Sequence, residues 1–188
     1  MRKVNKEKTR LLPFFIPHIG CPYICVFCNQ PRISGHQEMV TVDTIRRSIQ
    51  ETIAEQGNRG QWEVAYFGGS FTAIPKDLQD QLLAPATEAF QQGLIQGIRV
   101  STRPDAIREE RLKELYASGV RTIELGVQTL EESMLIEAKR GHTVADVELA
   151  CQKIRAQGMT LGIQLLPGLP GETWSTLVQT ALKAGRLD

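Results

Sequence analysis

Short apolar runs alternate with longer amphipathic segments five times along this chain, and that order leaves few folds open. The runs are LLPFFI (11–16), EVAYFG (63–68), GIRVST (97–102), RTIELGVQ (121–128) and TLGIQLL (160–166). Helical patterns stand between and after them. The spacing predicts helices over Val42–Glu55, Lys76–Gln92, Ala106–Gly119, Glu131–Ala138, Thr143–Gln157 and Glu172–Lys183. Thr41 or Asp43 is the expected N-cap of the first, and Asp105 of the third, whose Ile107, Leu112, Leu115 and Tyr116 recur at helical spacing. Pro85 is expected to kink or divide the second. Gly119, Gly158 and Gly185 are expected to end the third, fifth and sixth. Strands alternating with helices predict βαβ units on a parallel sheet, and right-handed crossovers curl such units toward a barrel.

The predicted fold class is therefore α/β: a partial (β/α) TIM-like barrel, truncated after about five βα units. Composition agrees with one domain, at 188 residues, 41% hydrophobic and 23% charged. The net charge of +1 identifies no class of partner. Residues 1–10 read as a basic arm carrying Arg2, Lys3, Lys6, Lys8 and Arg10, and 11–188 as the core domain. Such an arm is either a solvated terminus or a contact for RNA phosphates. No apolar run is long enough to span a membrane, and Pro13 and Pro17 interrupt the one candidate signal segment. A cytoplasmic location with reduced thiols is the expectation.

The chemistry begins at CPYICVFCNQ. Cys21, Cys25 and Cys28 stand in the spacing C-x3-C-x2-C directly after the first apolar run. Full protein ligation of a [4Fe–4S] cluster takes four cysteines. This loop supplies three, which leaves one iron for another ligand, and an open metal position is where reactions occur. A zinc site would need a fourth protein ligand from His18, His36 or Cys151, none at a usual spacing. A disulfide framework suits small secreted chains. Cys151 lies in a helical pattern and reads as a buried small hydrophobe.

The cysteine spacing resembles the signature of the radical S-adenosylmethionine (SAM) enzymes. That resemblance implies a [4Fe–4S] cluster on Cys21, Cys25 and Cys28, with SAM on the open iron and Phe27 near its adenine. It implies reductive cleavage of SAM to a 5′-deoxyadenosyl radical, with flavodoxin or ferredoxin as the electron donor. The segment Tyr66–Ser70 (YFGGS) resembles the glycine-rich motif that receives the SAM amino group through Gly68, Gly69 and their neighbours. Relatives often carry Glu where this chain has Ser70. By the same resemblance Gln128 and Gln164 hold the ribose, and Arg140 clamps the SAM carboxylate. Read from the residues alone, Gln164 is equally a polar side chain on a solvated strand face, and Arg140 a surface arginine at a helix end. Ser101, Thr102 and Arg103 lie at the same mouth. His18 and His142 read either as groups that support the site or carry protons, or, as lone histidines more often do, as structural hydrogen-bonders. Tyr23, Asn29 and Gln30 read as residues that shape the loop.

Longer strings narrow the branch. FIPHIGCPYICVFCNQPRISG, FGGSFTAIP, STRPDAI, GVRTIELGVQTL, RGHTVADV and GIQLLPGLPGE span residues 15 to 172. Their order and wording resemble the radical SAM domain of the Elongator catalytic subunit and its bacterial relatives, which modify the wobble uridine of tRNA. Two departures stand: the Elongator subunit spaces its first two cysteines more widely, and no acetyltransferase domain is present here. Oxygen-independent coproporphyrinogen oxidase is the second resemblance. A non-catalytic iron–sulfur module that binds RNA is a third reading.

Overall fold

A computed structural model of the protein describes residues 9–16, 21–28, 39–56 and 61–187. His18, Asn29, Gln30, His36 and the first eight residues of the basic arm lie outside this range. Five strands form one sheet: β1 (Arg10–Ile16), β2 (Trp62–Gly68), β3 (Gly97–Thr102), β4 (Val120–Gln128) and β5 (Thr160–Leu165). Their spatial order is their chain order, and every neighbouring pair is parallel. The helices are α1 (Val42–Gln56), α2 (Lys76–Gln91), α3 (Glu109–Ala117), α4 (Glu132–Glu137), α5 (Val144–Ala156) and α6 (Trp174–Arg186). This is the βα series expected, in the form of a partial TIM-like barrel. Among the described residues no helix is long and apolar enough to cross a membrane.

Strand alternation sorts the two faces of the sheet. Ile123, Leu125 and Val127 of β4 are buried in the main apolar core with Ile98 and Val100 of β3 and with Leu82, Leu115 and Ile154 of the helices. The intervening positions are polar and paired with one another. Arg99 of β3 donates to Glu63 of β2 at 2.9 Å and to Glu124 of β4 at 2.6 Å. Gln164 of β5 donates to Glu124 at 2.7 Å. A concave polar face therefore lies opposite the apolar one, and Gln164, itself exposed, belongs to it.

Four local expectations need correction. Pro85 does not divide α2, which runs unbroken from Lys76 to Gln91. Leu82, Leu83, Pro85, Ala86 and Ala89 are all buried there, and packing of that face outweighs the roughly 3 kcal/mol helix penalty of proline. The carbonyl that Pro85 leaves unpaired belongs to Gln81, an exposed residue where water can take the bond. In the same turn the Tyr66 hydroxyl donates to the Leu82 carbonyl at 2.6 Å, tying α2 to β2. Asp105 does not cap α3. Its carboxylate is taken by Arg103 Nε at 2.9 Å, Pro104–Ala106 form a 3-10 turn, and the helix starts only at Glu109. Gly185 lies inside α6, which continues to Arg186. Arg10, expected in the arm, instead opens β1, with its guanidinium 5.6 Å from the Trp62 ring centre.

The remaining helix signals hold. Thr41 caps α1, its hydroxyl accepting from the Thr44 amide at 3.1 Å. Thr143 and Asp146 form a reciprocal capping box on α5. Cys151 of α5 is buried in the main core, where desolvation pushes its thiol pKa up.

Candidate active site

The C-terminal ends of the parallel strands meet the cysteine loop, as sites do on barrels of this kind. They enclose a cavity of about 180 Å³. Cys21, Cys25, Phe27 and Cys28 line it from the loop; Gly68, Gly69 and Ser70 from the end of β2; Gln128 from β4; Arg140 from the turn after α4; and Gln164 from β5. All the residues singled out in the sequence for the cluster and for SAM thus share one space. Ser101, Thr102, Arg103, Gly126 and Tyr23 complete the lining. A larger cavity of about 620 Å³ lies beside α2 and α3. It holds no thiol, and its Lys76, Arg111 and Glu114 are ion-paired.

Local backbone geometry builds this space. Gly68 has φ +108°, and a Cβ there would lie 2.4 Å from the Ile16 carbonyl oxygen and 2.7 Å from the Phe15 ring. Only glycine lets β2 turn so close to β1. The Gly69 amide then donates to Ile16 O at 2.9 Å. Ser70, buried, shares a 2.9 Å hydrogen bond with Thr102 and accepts from the Arg103 amide at 3.2 Å. Gln128 takes φ +73°, unusual for a residue with a side chain, just where the β4–β5 register shifts. Such strain persists only where the surroundings enforce it, and it collects at functional sites.

Two guanidinium groups set the electrostatics. Arg140 is 6% exposed, so the surface reading of this residue does not hold. Its Nη1 donates to Cys25 Sγ at 3.4 Å, its Nη2 to the Gly126 carbonyl, and its Nε has no partner. Its guanidinium carbon lies 5.9 Å from the Phe27 ring centre. Arg103 is also buried; it grips Asp105 and the Arg140 carbonyl and leaves Nη1 without a partner. Burial raises the Cys21 thiol pKa, while Arg103, the Ser70 amide and Arg140 lower it and Cys25 raises it further. Metal binding would displace that proton.

These residues fit the groups named from the sequence. Three thiols and no fourth cysteine line the cavity. Two cations stand over ligands that become anionic when they bind metal. A Cβ on Gly126 would press on Gln128 Nε2 at 3.2 Å and touch Arg140 Nη2 at 3.4 Å, so glycine leaves both side chains room at this wall. Among the described residues no three His, Cys, Asp or Glu side chains gather around one point as a single ion requires. A cube differs in offering each thiolate its own iron.

The polar strand network of Glu63, Arg99 and Glu124 is absent from the residues singled out in the sequence. Its signal was the period-2 recurrence of polar residues in IRVST, TIELGVQ and GIQL, which marks a face rather than a turn.

Comparison with known proteins identifies similar chains and folds. The uncharacterized protein MJ0486 of Methanocaldococcus jannaschii is 26% identical over 96% of this chain and 58% of its own length. Protein YhcC of Escherichia coli is 31% identical over 83% of the chain and 50% of its length. The chain thus spans about half the length of these curated relatives. A tRNA uridine(34) acetyltransferase of M. jannaschii is 39% identical over a shorter stretch, 38% of this chain and 13% of that protein. Among solved structures, the Elp3 protein of Methanocaldococcus infernus superposes with a TM-score of 0.69 at 20% identity, covering 94% of this chain and 42% of that one. Coproporphyrinogen III oxidase (HemN) of E. coli gives 0.66 at 19%, covering 96% and 42%. The methyltransferase TsrM of Kitasatospora setae, solved with cobalamin and a [4Fe–4S] cluster, gives 0.67 at 21%, covering 95% and 32%. The Radical SAM superfamily profile matches residues 15–184, nearly the whole βα series, and the chain belongs to that superfamily.

Proposed function

We propose that this chain is the SAM-cleaving core of a radical SAM enzyme that acts on tRNA. The carrying observation is the shared cavity: three loop thiols, the glycine pair of β2 and the polar ends of β4 and β5 face one space. In this reading Cys21, Cys25 and Cys28 hold a [4Fe–4S] cluster and leave one iron for SAM. When bound, these groups supply a one-electron reductive cleavage of the SAM carbon–sulfur bond.

The chain's own residues bind, orient and shield. Gly68 and Gly69 admit the amino end of SAM, with Ser70 beside them. Gln128 and Gln164 offer amides to the ribose. The unpartnered Nε of Arg140 supports its role toward the SAM carboxylate. Phe27, half-buried and packed with Met134, Ala138 and Leu169, provides an apolar wall for the adenine. The positive charge of Arg103 and Arg140 favours the anionic form of the thiols and the bound cluster. The electron comes from a carrier such as flavodoxin or ferredoxin.

The tRNA assignment rests on similarity to the tRNA uridine(34) acetyltransferase and on the Elongator-like strings. The test is anaerobic reconstitution followed by reduction with SAM. The expected products are methionine and 5′-deoxyadenosine, with more deoxyadenosine in a cell extract that retains its RNA than in one depleted of it. A Cys25→Ala chain that keeps a normal cluster and full SAM cleavage refutes the assignment. Equal turnover in the two extracts removes the tRNA part alone.

A further inference from the structure

The cysteine loop is fastened to the protein by contacts that require no metal. The Val26 amide donates to the Ala138 carbonyl at 3.2 Å. The Tyr23 ring lies against Gly141, which has φ +75°, and a Cβ there would come within 2.3 Å of a ring carbon. The same ring lies 5.0 Å from the Arg103 guanidinium carbon. Arg103 is itself held by Asp105 and by the Arg140 carbonyl. Arg140 reaches from that turn to Cys25 Sγ. One buried guanidinium at the end of β3 thus joins the turn after α4 to the loop that carries the thiols.

We propose that the Arg140–Gly141 turn, locked by Arg103, is a docking platform that holds the cysteine loop in its ligand-ready form before any iron arrives, with Tyr23 as the plug. The physical motive is twofold. Ordering a free loop costs conformational entropy that opposes binding, and a preformed loop removes that opposition from cluster assembly. Thiolates brought together repel one another, and the two guanidinium groups offset that repulsion in advance. Gly141 and Tyr23 act through the loop that they hold, so they are positioning residues. The inference takes from the preceding section the reading of the three cysteines as ligands, but its test involves no cluster.

The test measures alkylation of each thiol by iodoacetamide in the iron-free full chain, read by mass spectrometry and divided by the rate in the urea-unfolded chain. Cys25, 5% exposed, is expected to be strongly protected. Gly141→Ala and Tyr23→Ala should each raise its rate about tenfold, the scale of losing one partly buried cation–π contact with its packing. Tyr23→Phe keeps the ring and should keep the protection. Cys151, buried in the main core, should not change in any variant, which separates local release from unfolding. The platform is refuted if Cys25 in the native chain reacts like the unfolded control. It is equally refuted if neither alanine variant releases Cys25, if Tyr23→Phe loses the protection, or if Cys151 rises in step with Cys25. Iron and sulfide content after reconstitution tests the ligand reading separately.

Discussion

Both ring nitrogens of His142 are buried without a hydrogen-bond partner, beside the two guanidinium groups of the site. Burial, then Arg140 and Arg103, bring its pKa down from 6.5 to about 4, against the weaker upward pull of Asp105 and Asp146. The sign of the stability effect follows. The unfolded chain takes up this proton near pH 6.5 and the folded chain only near 4, so stability falls as pH drops through that window and levels off below it. The loss is up to about 3 kcal/mol. Urea unfolding of the apoprotein at pH 7 and pH 4.5 should show it, and His142→Gln should flatten the slope. Parallel slopes in the two proteins would mean that His142 is not held neutral. The roles of single residues were unevenly legible. The three cysteines announce themselves by spacing alone. Arg140 does not: its burial and its bond to Cys25 come from α4 ending at Glu137 and turning back over the loop, which no local pattern encodes.

Among the helices and strands, two glycines make opposite predictions. Gly68 ends β2 at a positive φ with the Ile16 carbonyl and the Phe15 ring filling the place of a Cβ. Gly68→Ala should destabilise by at least about 2 kcal/mol, through αL strain and overpacking together. Gly185 lies within α6, and a Cβ added there would meet nothing within 4 Å. Gly185→Ala should stabilise by about 0.5–1 kcal/mol, the helix propensity gained. Thermal melts of the two variants check both signs. A neutral Gly68→Ala would show that β2 and β1 can separate at the site. Element type was readable wherever periodicity was strong, as in β3, α3 and α5. It misled at punctuation residues. Pro85 and Gly185 read as breaks because propensity is local, yet the buried face of α2 and the continuing hydrogen bonds of α6 decide otherwise. Asp105 read as a cap because the sequence does not reveal that Arg103 will claim its carboxylate.

Across the full sheet, the parallel series places its helices on an apolar face and its charges on a concave one. The Glu63–Arg99–Glu124–Gln164 network crosses β2, β3, β4 and β5 on that concave side. It gives the sheet a polar interior in line with the thiol-lined mouth, where Gln164 is shared between network and cavity. Arg99→Leu would remove the cation shared by Glu63 and Glu124 and should cost about 2–4 kcal/mol, a partly exposed version of breaking a buried pair. Denaturant unfolding measures it, and a change below about 0.5 kcal/mol would assign the network no structural weight. All of the proposed chemistry depends on loop thiols that hold a cube with one iron open. Electron paramagnetic resonance of the anaerobically reconstituted, reduced chain, recorded with and without SAM, probes that open iron itself. A [4Fe–4S] signal should appear, shift when SAM is added, and vanish in Cys25→Ala. A signal indifferent to SAM, or one that survives the loss of Cys25, would overturn the assignment.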